Sequence, residues 1–264
     1  MYLDLSEGRI FYTVSGVGQP VILLHGNFNN HSIWDEQVEA LSTAYQVIRL
    51  DWRGYGQSST PTSPFSNVDD LKALIDWLKL DKVTLVGSSS GGGAAIDFTL
   101  AYPHHVRRLV LVCPSVHGHS LPLRMTWHGI KNFYNVHRHG KERAIESFIS
   151  NPFWRYYFPS SDKQEALAKV LHHIRNADSF CRFSPQLLMA SKPSAIGRLD
   201  ELQAPTLIVI SDQDHPYNIK TAHLLHTKIK HSTKRIMENC RHLPFIENPI
   251  EFNKVLIDFL SKIM

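Results

Sequence analysis

Residues 87 to 91 read Gly87-Ser88-Ser89-Ser90-Gly91. They follow a short apolar run, 83–86, and precede a stretch of small residues, Gly92-Gly93-Ala94-Ala95. A serine on a very tight turn between a strand and a helix presents its hydroxyl as a nucleophile, and such a turn leaves no room for neighbouring side chains. Only Ser89 has glycine both two residues before and two residues after it. Ser89 is the candidate nucleophile.

A serine hydroxyl attacks poorly until a base takes its proton. The chain has 16 histidines, so composition does not select one. Position does: His242 stands between a strand-like run, 234–237, and a C-terminal helical stripe. That loop belongs at the sheet end where the Ser89 turn sits and where sites of parallel sheets form. The base needs a carboxylate to hold its tautomer. Asp212 and Asp214 both follow the run 206–210, whereas the run 109–113 is followed by Pro114 and Ser115 and offers no acid. An oxyanion would need backbone donors. The amide of Ser90, at the start of the helix, and that of Asn27, after Gly26, are the candidates. The pairs His117/His119, His137/His139 and His172/His173 have no regular set of carboxylates or cysteines beside them. They predict no metal site.

These residues need elements to hold them. Runs rich in Val, Ile and Leu at 21–25, 46–51, 83–86, 109–113 and 206–210 suit parallel strands buried on both faces. Residues 2–15 read as a hairpin turning at Glu7-Gly8. Between the strands lie helical patterns. Val68, Leu71, Leu74, Ile75 and Leu78 recur at helical spacing after a cap residue, Ser66. Phe252, Val255, Leu256, Phe259, Leu260 and Ile263 form a stripe, with Asn248 as cap and Pro249 in the first position. The alternation predicts an α/β fold with a mostly parallel central sheet flanked by helices. It breaks between 116 and 196, a region of helical patterns and many aromatics without a strand signal. That region predicts a helical insertion covering one end of the sheet. The core is then 1–115 with 197–264. Phe28, Trp127, Phe153 and Trp154 are the expected pocket-lining residues.

With 264 residues, 43% apolar and 20% charged, the chain is globular in proportion. No stretch approaches the roughly 18 apolar residues that predict a membrane span. The first residues, MYLDLSEG, carry no apolar signal region. Cys113, Cys181 and Cys240 are scattered without metal or redox spacing, as in a reducing compartment. A cytoplasmic protein, monomer or homodimer, is expected. The net charge of +4 is diffuse and predicts no nucleic-acid partner.

The chain resembles the α/β-hydrolase superfamily nearly end to end. Four separated motifs carry the resemblance in order: Leu24-His25-Gly26-Asn27; Asp51-Trp52-Arg53-Gly54-Tyr55-Gly56-Gln57-Ser58; Gly87-Ser88-Ser89-Ser90-Gly91; and Ser211-Asp212-Gln213-Asp214 followed by Arg241-His242-Leu243-Pro244-Phe245. The resemblance implies Ser89 as nucleophile, His242 as base and, because the family's G-x-x-D pattern aligns with 211–214, Asp214 as the acid. It assigns the oxyanion amides to Asn27 and Ser90, a structural role to the Asp51 motif, and a helical cap to 116–196. Ser211 and Arg241 stand where glycine is common, and Asn27 where an aromatic or small residue is frequent. The implied activity is hydrolysis of a carboxylic ester, lactone or thioester of a small-to-bulky apolar substrate through an acyl-serine, with no cofactor. Two other activities use the same scaffold. One is carbon–carbon bond hydrolysis or a lyase reaction on an acidic substrate, for which Arg124, Arg138, Arg155, Arg175 and Arg182 are the available cations. The other is ligand reception without turnover.

Overall fold

The computed structural model describes residues 1–176, 180 and 183–262; Cys181, Arg182 and Ile263 lie outside the described residues. Eight strands form one sheet: β1 (Tyr2–Asp4), β2 (Arg9–Ser15), β3 (Gln19–Leu24), β4 (Tyr45–Leu50), β5 (Val83–Ser88), β6 (Val106–Val112), β7 (Thr206–Ser211) and β8 (Ser232–Met237). Their order is β1-β2-β4-β3-β5-β6-β7-β8. The β1–β2 hairpin is antiparallel and is closed by the Leu5 N–H donating to the Gly8 carbonyl at 2.9 Å. β2 meets β4 antiparallel, and every later pairing is parallel.

Every residue of β5 and β7 is buried, which is why these strands read as runs rich in Val, Ile and Leu rather than as alternations of apolar and charged residues. Successive side chains go to opposite faces of the sheet. Ile22, Leu24, Ile48, Leu85 and Leu111 join one core layer, while Val21, Leu23, Val47, Val86 and Val110 join the other. Each such side chain contributes about 1.5–3 kcal/mol by leaving water.

Helices α1 (Asp35–Leu41), α2 (Asn67–Trp77) and α3 (Ser90–Ala101) fall within the first half of the alternation. α4 (Leu123–His139), α5 (Lys141–Ser150) and α6 (Gln164–Asn176) lie between β6 and β7, and α7 (Pro216–Lys228), α8 (Pro244–Glu247) and α9 (Pro249–Leu260) follow β7. Two helix starts are set by the expected caps. Ser66 accepts from the Asp69 N–H at 3.2 Å, and Asn248 accepts from the Glu251 N–H at 3.3 Å. Such caps are typically worth about 1 kcal/mol.

Because β3 and β5 to β8 run in one direction, the segments that follow them gather at one sheet edge. The helical segment between β6 and β7 lies against that edge through its aromatics. The Phe148 ring is 4.4 Å from that of Phe28 on the loop after β3, and 5.2 Å from Trp154 and 5.4 Å from Tyr157 within the segment. Among the described residues, its extended pairing is limited to one bridge, Phe65 with Leu188. No helix among them is long and apolar enough to cross a membrane.

Candidate active site

Ser89 sits between β5 and α3 with φ 53° and ψ −120°, a left-handed conformation that a side chain rarely adopts. Its surroundings hold it there. Its N–H donates to the Val112 carbonyl at 3.0 Å, and its carbonyl accepts from Ser115 N–H at 3.0 Å and Gly93 N–H at 3.2 Å. A Cβ on Gly91 would lie 2.4 Å from the Leu24 oxygen and 2.5 Å from that of His25; one on Gly87 would lie 2.5 Å from the Gly91 oxygen. Both glycines are therefore required by the close approach of β3, β5 and α3. Ser89 itself is partly exposed, whereas Gly87, Ser88 and Gly91 are buried.

The residues alone left Asp212 and Asp214 open. The structure pairs Asp214 with His242: the Nδ1–H of His242 donates to Oδ2 at 2.8 Å, and both residues are buried. The other carboxylate oxygen accepts from the His215 N–H at 2.6 Å and from Asn218 Nδ2 at 2.8 Å. Asp212 turns away and accepts from the Cys240 N–H at 3.1 Å. Asn218 was not singled out from sequence, although its place four residues after Asp214, in the first turn of α7, was the signal.

Cys113 completes this corner. Its thiol donates to Ser211 Oγ at 3.4 Å, so the residue standing where glycine is common has a partner. Cys113, Asp214 and His242 each place one potential metal-ligating atom within 4.8 Å of the others. Burial, and then the nearby Asp214, push the Cys113 thiol well above its ordinary range, so here it stands as a protonated donor to Ser211.

Asn27 and Ser90 face each other across the site. The Asn27 N–H donates to Ser90 Oγ at 3.0 Å, and the Ser90 hydroxyl donates to Asn27 Oδ1 at 3.1 Å. Tyr55 OH also donates to Asn27 Oδ1, at 3.0 Å. One of the two amides expected to receive an oxyanion is thus occupied by a side chain, and a ligand oxygen would replace it. Beneath lies His25. Its Nδ1–H donates to the Gly26 carbonyl at 2.9 Å, and Nε2 accepts from the Trp52 N–H at 3.1 Å. Burial lowers its pKa to about 4. A neutral ring satisfies both contacts, and a second ring proton would face the Trp52 N–H. His25 and the Asp51 turn brace the loop that carries Asn27.

Of the four residues expected to line a pocket, three come together. Phe28, with φ 64°, places its ring 5.7 Å from Trp154, whose ring is 5.0 Å from Phe153. Phe153 stacks on His128 at 4.0 Å and lies 5.9 Å from His215. Trp154 is buried in this cluster, so much of its surface serves packing. Trp127 does not join them; it is 64% exposed. The covered face of α4 runs through Met125, His128 and Asn132, and helical periodicity turns position 127 outward. Sequence reading also missed Tyr156 and Tyr157, whose rings each lie 5.8 Å from His242.

The arrangement has what nucleophilic attack on a carbonyl requires: a partly exposed hydroxyl on a strained turn, a buried imidazole held by a carboxylate, and two backbone amides, one at the start of α3 and one on the loop after β3.

Comparison with known proteins finds the same fold. A family described as alpha/beta hydrolase fold matches residues 19–249. A 2-hydroxy-6-oxononadienedioate/2-hydroxy-6-oxononatrienedioate hydrolase of Klebsiella pneumoniae is 31% identical over 281 aligned positions, covering 99% of this chain and 95% of its own. A hydrolase of the same name from Pseudomonas putida is 29% identical, covering 98% and 93%. Among solved structures, Est816, described as an N-acyl homoserine lactone degrading enzyme, aligns with a TM-score of 0.80 at 25% identity, covering 98% of this chain and all of its own. Carboxylesterase CesB of Bacillus subtilis shares the fold, with a TM-score of 0.82 at 20% identity, covering 100% and 92%.

Proposed function

This chain belongs to the alpha/beta hydrolase family, and on that footing we propose that it is a serine hydrolase whose Ser89 attacks the carbonyl carbon of a carboxylic ester, lactones and thioesters included. The observation that carries the reading is the pairing of a strained Ser89 turn with a buried His242–Asp214 hydrogen bond of 2.8 Å at the same sheet edge. His242 Nε2 takes the Ser89 proton as the bond to the carbonyl carbon forms. Asp214 holds the Nδ1–H and stabilises the imidazolium. The negative oxygen of the tetrahedral intermediate takes the amides of Asn27 and Ser90, displacing the Ser90 hydroxyl from the former. His242 then protonates the leaving alcohol, and water, activated by the same ring, releases the acyl group. The segment 116–196 acts as the cap, with Phe28, Phe153 and Trp154 offering apolar contact to the acyl or ring portion.

A second reading has its own support. The name of the Klebsiella and Pseudomonas relatives' substrate contains a ketone and two carboxylates but no ester, so its hydrolysis breaks a carbon–carbon bond. Arg124 lies over the Phe153 ring at 5.6 Å and has no carboxylate partner among the described residues, which suits an acidic substrate.

The test is turnover of a p-nitrophenyl ester series, acetate to dodecanoate, beside a 2-hydroxy-6-oxo-dienedioate followed by loss of its dienol absorbance. Wild type and Ser89→Ala are compared. Serine-dependent ester turnover supports the first reading. Turnover of the keto acid alone supports the second. Activity that survives Ser89→Ala overturns both.

A further inference from the structure

We infer that Arg241 is a positioning residue that couples the seating of the 116–196 cap to the placement of the His242 ring. This rests on the reading of His242 as the general base. The Nη1 of Arg241 donates to two carbonyl oxygens of the cap, Arg155 at 3.1 Å and Phe158 at 3.0 Å. The next residue repeats the contact through its backbone, as the His242 N–H donates to the Tyr156 carbonyl at 3.1 Å. Three carbonyls of one short stretch therefore hold two adjacent residues of the histidine loop.

The loop is gripped from a second point. The Arg241 N–H donates to Glu247 Oε1 at 2.8 Å, and the other oxygen of this buried carboxylate lies 3.5 Å from Lys163 Nζ. Lys163, also of the cap, donates to the Asn239 carbonyl. The cap thus holds 239–242 on one side while Asp214 holds the imidazole on the other. A cap that lifts away breaks the Arg241, His242 and Lys163 contacts together and frees the loop that carries His242. Glycine in place of Arg241 would keep the His242 N–H contact and lose both guanidinium bonds. A misplacement of about 1 Å at a reacting group can cost about 100-fold in rate.

The test compares Arg241→Ala and Arg241→Lys with Ser89→Ala and His242→Ala. One readout is steady-state hydrolysis of p-nitrophenyl butyrate. The other, free of any substrate, is the low-field proton resonance of the His242 Nδ1–H. Arg241→Ala is expected to lower kcat by about 10- to 100-fold with KM within about twofold, and to broaden the resonance by solvent exchange. Both bonds come from one nitrogen, so Arg241→Lys should recover most of kcat and a sharp resonance. Wild-type kcat with a sharp resonance in Arg241→Ala overturns the inference. So does a loss confined to KM, which would place Arg241 in substrate binding. If Ser89→Ala keeps full activity, the serine reading fails, and the resonance alone still decides whether Arg241 holds His242. If Arg241→Ala loses its cooperative thermal transition, Arg241→Gln is judged by the same criteria.

Discussion

Asn27 and Ser90 hold each other reciprocally: the N–H of Asn27 donates to the hydroxyl of Ser90 at 3.0 Å, and that hydroxyl donates to the side-chain oxygen of Asn27 at 3.1 Å. The pair ties the loop after β3 to the first residue of α3. It also places a hydroxyl oxygen on an amide that the proposed mechanism assigns to the oxyanion. The resting site carries its own surrogate for the substrate oxygen.

Ser90→Ala removes that surrogate and keeps the Tyr55 contact to Asn27. Exchanging one hydrogen bond is worth about 1 kcal/mol, so kcat/KM should rise by roughly 2- to 10-fold. Steady-state kinetics on the best ester decides it. A 100-fold fall would mean that the hydroxyl itself donates to the transition state.

The two neighbouring acids should separate cleanly. Asp214→Asn loses the carboxylate that orients His242 and is expected to lower kcat by about 10⁴-fold. Asp212→Asn touches only a brace to the Cys240 N–H and should stay within a few fold of wild type. Equal losses in the two variants would refute the assignment of Asp214.

Acid should destabilise the protein through His25. Its folded pKa, about 4, lies below the ordinary 6.5 because the ring is buried. Between these values the unfolded chain binds a proton that the folded chain does not, so stability falls as pH falls. The contribution is fully present above pH 6.5 and declines by about 3 kcal/mol by pH 4. Urea unfolding at pH 7, 5.5 and 4.5 measures it; burial lowers His173 to about 4 as well, so His25→Gln should reduce the difference without abolishing it. Parallel pH profiles for the two proteins would exclude His25 as the source.

Two glycine-to-alanine substitutions should act in opposite directions. Gly91→Ala drives a Cβ to 2.4 Å from a backbone oxygen of β3 and should cost about 1–3 kcal/mol. Gly129→Ala meets no atom within 4 Å on α4 and should stabilise by about 0.5–1 kcal/mol. Thermal midpoints moving the same way in both would contradict the packing described at the Ser89 turn.

Much of the fold was legible because its signals are local. Strands buried on both faces are mostly apolar, so the buried stretches of β3 to β7 announced themselves as runs rich in Val, Ile and Leu. Ser66 and Asn248 cap helices through contacts only three residues long. The Ser89 turn was legible for a steric reason, since only glycine fits two residues to either side. Less was legible where one loop offers equivalent residues. Asp212 and Asp214 share a type and a loop; the residue types alone do not separate them, the family pattern over 211–214 favours Asp214, and the path of the chain past β7 sends that one to His242 and the other to the Cys240 N–H. Trp127 and Phe153 read alike as aromatics of the inserted segment, yet the phase of α4 leaves Trp127 in water, while Phe153, in the turn after α5, packs on His128.

The sequence by itself determined the order of strands and helices, the tight turn at Ser89, and the sheet edge at which an acid and a histidine would arrive. These follow from burial patterns and sterics that act over a few residues. The tertiary structure alone decided which other distant groups meet: Cys113 with Ser211, the Asn27 N–H with the Ser90 hydroxyl, and Arg241 with the carbonyls of Arg155 and Phe158. Such hydrogen bonds depend on separations of a few tenths of an ångström between side chains that lie up to about a hundred residues apart in the chain, and no local periodicity encodes them.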